Sequence, residues 1–229
     1  MRLLAIDTAT EACSAAYLDE ERLIARHEEL RVGHAERILG MVDAVLREAG
    51  VRIGDLDALA VARGPGAFTG VRIAVSVVQG LAFGAGLPVV PITTLEAMAY
   101  PLIRRGAPRV LACLDARMGE VYAGLFVADA DRGLCTAGPL TVGPPTALIL
   151  PEGPPAHAVG RGFKGHPVLC AIPGLVSAAP DLDALPDARE VALLGRLRYA
   201  HGGGVAAGAL EPLYLRDKVA LTEAERGVA

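Results

Sequence analysis

The residues whose types and spacing could do chemistry lie in three places: a glycine-rich loop, an aspartate at the end of each of two apolar runs, and a histidine opening a helical stretch. The loop reads Gly64-Pro65-Gly66-Ala67-Phe68-Thr69-Gly70-Val71-Arg72. Leu56–Val61 before it reads as a short strand, and Gly70–Phe83 after it is too long for one and is predicted helical. Glycines on both sides of Pro65 give the backbone a sharp, pre-set path, and Thr69 stands where an N-cap belongs. Strand–turn–helix units often hold an anion at the helix N-terminus. A phosphate site is disfavoured here, because no Gly-Lys-Ser/Thr follows and no lysine is near in sequence. A tight turn that aims a helix is the favoured reading.

Asp7 ends Leu3-Leu4-Ala5-Ile6, and Asp115 ends Leu111-Ala112-Cys113-Leu114. Each is followed by a turn and a second strand-like run, Cys13–Leu18 and Val121–Phe126, at an offset of 108 residues in both cases. The recurrence predicts two related lobes. Asp in such a place commonly bonds the turn after it, the preferred reading for Asp7. Asp115, Arg117, Glu120 and Tyr122 form the densest polar cluster. Arg117 and Glu120 are expected to pair across their turn, a surface contact worth about 0–1 kcal/mol. Contact with a partner or a nucleotide is the alternative. No Gly-x-Ser-x-Gly elbow is present, and His27, His157, His166 and His201 form no visible dyad.

The elements that must position these residues follow from periodicity. Gly33–Gly50 is a helix whose apolar face holds Ile38, Leu39, Val42, Val45, Leu46 and Ala49, widened by Met41. Gly70–Gly84 is apolar almost all round, interrupted only by Arg72, Ser76 and Gln79, so it must be buried almost all round, by its own core or by a partner. Gly80 and Gly84, four apart, permit close backbone approach. From these two helices Ile38, Met41, Val42, Val45, Val71, Ala74, Val77, Val78, Gly80, Leu81 and Gly84 are expected to form a partner interface on the order of 800 Å² per side. Which of Val77 and Val78 points outward stays open. Leu87–Ile92 is a strand, and Thr93–Arg104 a helix capped by Thr93 or Thr94 and ended or kinked by Pro101. Asp129–Gly165 is Gly/Pro-rich and reads as loops and short helical turns, with a strand at Ala156–Gly160. Gly160-Arg161-Gly162 admits either a ligand or a turn. Ala188–His201 is an amphipathic helix, and the tail from Thr222 is expected to be loose. The division expected is a lobe at 1–104 and a smaller lobe at 105–229, the segment after Pro212 packing back on the first.

Composition narrows the classes. The 229 residues are 52% hydrophobic with a net charge of −4, which disfavours RNA binding through a basic face. No uninterrupted apolar run approaches the roughly 18 residues of a membrane span, and Asp7 breaks the N-terminal apolar run too early for a signal peptide. Cys13, Cys113, Cys135 and Cys170 show no paired spacing, so reduced thiols in a cytoplasmic protein are expected. Arginine outnumbers lysine twenty to two, and asparagine is absent. Both GC-rich coding and heat adaptation fit that bias.

Gly-Pro-Gly-Ala-Phe-Thr-Gly-Val-Arg-Ile at 64–73 resembles the signature of the bacterial TsaB (YeaZ) family, which serves the threonylcarbamoyladenosine modification of tRNA. Ala5-Ile6-Asp7-Thr8-Ala9-Thr10, Leu114-Asp115-Ala116-Arg117-Met118-Gly119-Glu120-Val121-Tyr122 and Pro212-Leu213-Tyr214-Leu215-Arg216 agree with it, so the resemblance spans the chain. It implies an α/β chain of the actin/Hsp70/sugar-kinase fold with a reduced second lobe. In that superfamily an aspartate at the place of Asp7 holds a metal–phosphate centre, but the other phosphate-binding parts are missing here. The family's catalytic paralogue carries His-x-x-x-His near His34, a pair that shares a metal. Here the second position is Ile38, so neither a metal nor a cofactor is expected. The resemblance implies a non-catalytic subunit that binds the TsaD-like paralogue, joined by a TsaE-like ATPase, and meets tRNA only within that complex. The paralogue transfers threonylcarbamoyl to adenosine 37 of tRNAs reading codons that start with A. Alone, the chain is expected to form homodimers. An active enzyme of the same superfamily, a small kinase or peptidase, is the alternative.

Overall fold

The computed structural model describes residues 1–176 and 181–216, so the tail from Thr222 lies outside the described residues. The first sheet contains β1 (Leu3–Asp7), β2 (Ala12–Leu18), β3 (Leu23–Glu29), β4 (Ala58–Ala62) and β5 (Val89–Ile92), in the order β3-β2-β1-β4-β5. β1 runs antiparallel to β2 and parallel to β4. β6 (Arg109–Arg117) and β7 (Glu120–Asp129) repeat that hairpin in the second sheet, flanked by β8 (Gly133–Thr136), β9 (Thr141–Gly143) and β10 (His157–Val159). The Gly/Pro-rich stretch thus supplies β8 and β9, which its composition hides.

β1 is apolar at successive positions because both faces of its sheet are covered. Leu4 and Ile6 face α1 (His34–Ala49) and α2 (Phe68–Ala85). Leu3 and Ala5 face α3 (Thr94–Arg104) and α5 (Ala188–Ala200), which lie between the two sheets in one shared core. Beyond the second sheet sit α4 (Arg161–Gly165) and a 3-10 turn at Pro167–Ala171. Thr93 and Glu96 form a capping box on α3, and Glu96 also accepts from the Arg198 guanidinium of α5 at 2.5 and 3.2 Å. Held this way, α3 continues through Pro101 to Arg104 instead of ending at the proline.

The return of the chain to the first sheet begins with α5, earlier than Pro212. Val205 then bridges Val89, and Gln79 of α2 donates to the carbonyls of Ala207 and Leu210. The division at 104 and 105 therefore separates α5 from the sheet on which it packs.

Two expectations about the helices need correction. Thr69 does not cap α2. The N-cap is Ala67, whose carbonyl accepts Val71 N–H at 2.9 Å and whose N–H is taken by Ala9 O at 2.7 Å, so backbone replaces a side-chain cap. The expected interface also contracts. Ile38, Met41, Val42 and Val45 of α1, and Val71, Ala74 and Val78 of α2, are buried against Cys13, Ala15, Tyr17, Leu59 and Val61 of their own sheet. Their periodicity records this core. α2 is long and apolar enough to pass for a membrane span by composition, yet one stripe of it, Gly70 to Ala82, packs inside the protein.

Candidate functional site

The four stretches that carry the resemblance converge on one cleft of about 910 Å³ between the lobes. Ala9, Thr10 and Glu11 come from the turn after β1, and Gly66–Val71 from the loop and the start of α2. Leu114–Arg117 and Tyr122 come from the second hairpin, and Leu213–Arg216 from the C-terminal segment.

The loop lies backbone to backbone on the first hairpin. A Cβ at Gly66 would overlap the carbonyl oxygen of Ala9, and one at Gly70 that of Thr8. Thr8 Oγ1 donates to Gly70 O at 2.7 Å, closing the contact. The Gly64–Pro65 bond is cis, and Gly64 O accepts Thr94 N–H at 2.9 Å. Phe68 and Arg72 project outward from the first turn of α2. The Arg72 guanidinium lies 3.5 Å from the Phe68 ring centre, and its Nε donates to the Tyr214 hydroxyl at 2.7 Å. At Gly160 and Gly162, close approach of α4 to Cys113 of β6 explains the glycines, so the ligand alternative is not needed.

Asp7 is fully buried. Its Oδ1 accepts Ala9 N–H at 2.7 Å, as expected of a turn aspartate, and its Oδ2 has no hydrogen-bond partner among the described residues. Burial pushes its carboxyl up to about 7, against the pull of the Ala9 N–H. His34, the first residue of α1, lines the cleft with its Nε2 buried and unpaired among the described residues, while Ile38 one turn on is core. The two positions of a His-x-x-x-His pair therefore face different surroundings. The buried thiols of Cys13 and Cys113 are both pushed up by burial, Cys13 to about 11, so neither is a ready nucleophile.

Four cations of the cleft, Arg117, Arg161, Lys164 and Arg216, are paired within the chain. Lys164, distant from the loop in sequence, reaches the same cleft but pairs with Asp183 at 2.5 Å. Arg161 binds Glu29 at 2.7 Å, joining the lobes. Arg117 pairs with Asp115 at 3.1 Å and Glu11 at 3.5 Å, and Glu120 with Arg216. The expected Arg117–Glu120 pair is thus replaced: the second hairpin turn points these two side chains to different neighbours.

A second surface lies on the outside of α1 and α2. Leu39, which periodicity placed in the core, is 53% exposed, and Phe83 is 84% exposed. Between them Ile73, Val77 and Leu81 are half-buried. Gly80 and Gly84 are exposed, with none of the described residues near where a Cβ would be. Shallow grooves flank this ridge, one lined by Phe68, Arg72, Ile73 and Val77, the other by Leu39, Leu46, Ile53 and Leu81.

The family model for TsaD, tRNA N6-adenosine threonylcarbamoyltransferase, matches residues 28–154. The tRNA threonylcarbamoyladenosine biosynthesis protein TsaB of Escherichia coli (strain K12) is 41% identical over 230 residues, covering 96% of each chain. The chain belongs to the TsaB (YeaZ) family. TsaB of Haemophilus influenzae is 36% identical, covering 96% of this chain and 95% of its own. YeaZ from Pseudomonas aeruginosa superposes with a TM-score of 0.87 at 42% identity, covering 93% of this chain and 99% of that one. The mixed α/β fold with two sheets is therefore the family's.

Proposed function

We propose that this chain is a non-catalytic subunit of the machinery that makes threonylcarbamoyladenosine at position 37 of tRNA. In this reading it binds and activates a TsaD-like paralogue in the cytoplasm, a TsaE-like ATPase joins the pair, and tRNA is met only in the complex. The observation that carries the reading is the outward ridge of α1 and α2. Leu39, Ile73, Val77, Leu81 and Phe83 leave an apolar strip beside two glycines, the make-up of a protein-docking surface. The chemistry of the cleft supports it, because its lysine is already paired and no phosphate-cradling Gly-Lys pair is present. Without the paralogue, the same strip is expected to pair with a second copy about a two-fold axis.

Co-purification with the paralogue, and modified tRNA formed with and without this chain, test the reading. The isolated chain is expected neither to hydrolyse ATP nor to transfer threonylcarbamoyl. Val77→Glu, on the half-buried outward side, is expected to fold and to lose several kcal/mol of association, because docking would strand a desolvated carboxylate. Val78→Glu, at a position with no exposed surface, is expected to unfold the chain. A folded Val77→Glu chain that binds the paralogue as tightly as the wild type, measured by sedimentation, would overturn the assignment of this face.

A further inference from the structure

Two of the stretches shared with the family, 114–122 and 212–216, lie off the α1/α2 ridge, and each holds the other. The C-terminal segment is fastened first to the glycine loop, where Leu213 N–H donates to Arg63 O at 2.7 Å. One residue on, the Tyr214 hydroxyl accepts from Arg72, and its ring lies 6.0 Å from that of Phe68. Two residues further, Arg216 crosses to the second lobe. Its guanidinium donates to Ala116 O at 3.2 Å and to the Glu120 carboxylate, and lies 3.7 Å from Met118 Sδ. These contacts grip a hairpin tip in which Arg117 and Met118 both have positive φ, 63° and 56°. Successive non-glycine residues there are uncommon, and the Arg216 contacts fix the tip from outside.

We propose that residues 212–216 are a strap that couples the position of the second lobe's hairpin to the occupancy of the α2 ridge. Arg72 and Phe68 are the link. On one side they hold Tyr214, and on the other they line the groove shared with Ile73 and Val77. A protein that covers this groove removes water from the Arg72–Phe68–Tyr214 cluster and strengthens contacts that are weak when wet. Docking on α2 therefore tightens the strap and, through Arg216, the tip of the second hairpin. By linkage, releasing the strap weakens docking by the same factor. The proposal rests on the reading that the ridge takes the catalytic paralogue.

The test uses Arg216→Gln and Glu120→Gln, which cut the far end of the strap from either side without touching the ridge. Amide exchange at 116–120 is measured with and without the paralogue, alongside the dissociation constant. In the wild type, docking is expected to slow exchange at the tip. In both variants, checked for folding by circular dichroism, the slowing is expected to vanish and affinity to fall at least about fivefold. Should Arg216→Gln fail to fold, Glu120→Gln carries the measurement. Tip exchange indifferent to docking, or a folded variant binding as the wild type does, overturns the strap and leaves the ridge assignment standing. A wild-type chain that binds no paralogue overturns both.

Discussion

Asp7 ends β1 and Asp115 lies two residues before the end of β6, and each accepts an N–H two residues on, from Ala9 at 2.7 Å and from Arg117 at 2.8 Å. The local chemistry is the same, and the depth is not. Asp7 has no exposed surface, one oxygen without a partner among the described residues, and a carboxyl pushed up to about 7 by burial. The Asp115 side chain is 30% exposed and has Arg117 and His166 within ion-pair distance. The first turn carries a lid of backbone, because the glycine loop lies on Thr8 and Ala9. The second turn instead opens on the cleft, supported by the side chain of Arg216. The repeat fixes the turn, while what packs around it, the glycine loop on the backbone of Thr8 and Ala9 and Asp187 with His27 near the Asp7 carboxyl, decides how far each carboxyl is from water.

Removing a loop glycine should break this difference most severely. Gly70→Ala or Gly66→Ala drives a methyl group into a carbonyl oxygen of the opposite backbone, which has little room to move. Each is expected to cost about 3 kcal/mol or more, read as a drop in the denaturation midpoint. Gly80→Ala, on the same helix with open space at the Cβ, is expected to be neutral or to gain about 0.5–1 kcal/mol. Equal losses at Gly70 and Gly80 would mean that contact with the first hairpin is not what requires glycine at position 70.

These substitutions also show what a sequence discloses. The duplicated hairpins, the bounds of α1 and the turn around Pro65 follow from patterns within a few residues of each other. Burial of Val78 beside half-exposed Val77 does not, because α2 is apolar on most sides and only the position of its sheet selects the core stripe. The same holds for Leu39, which shares a heptad-like spacing with Ile38 and Val42 but points away from the sheet. Lys164 and Arg216 reach the cleft from positions far along the chain. No local signal brings either to the glycine loop. α5 was legible as a helix, while its place on the first sheet depends on Gly195, where close packing against Ala60 and Leu3 leaves no space for a side chain.

A milder way to sharpen the comparison is Asp7→Asn, which keeps an acceptor for Ala9 N–H and removes the titration. The folded state raises the Asp7 carboxyl from 3.8 to about 7. Its contribution to stability is therefore full below pH 4 and is lost as pH rises through 7. For a fully buried group, a shift of this size corresponds to a few kcal/mol at most. Wild-type stability is expected to decline between pH 4 and pH 7 by more than that of Asp7→Asn, so the variant gains on the wild type towards pH 8. Denaturation midpoints across that range check it, and parallel curves would show that Asp7 does not titrate in this window.

The smallest effect is expected from the matching change in the second lobe, Asp115→Asn. Its oxygen still accepts Arg117 N–H, so the turn keeps its shape. What it loses is charge, and the partner in question, the Arg117 side chain, is 75% exposed. Exposed pairs of this kind contribute about 0–1 kcal/mol, and the contribution fades as salt screens it. The variant should therefore lie close to the wild type in dilute buffer and coincide with it at about 1 M salt, where the Debye length is near 3 Å. The Asp7→Asn difference should survive the same salt, because its cause is burial and not an exposed partner. Denaturation of both variants at low and high salt separates the two origins. If Asp115→Asn moved the pH profile as far as Asp7→Asn does, the turn sequence itself would set the carboxyl's behaviour, and burial would have no part in it.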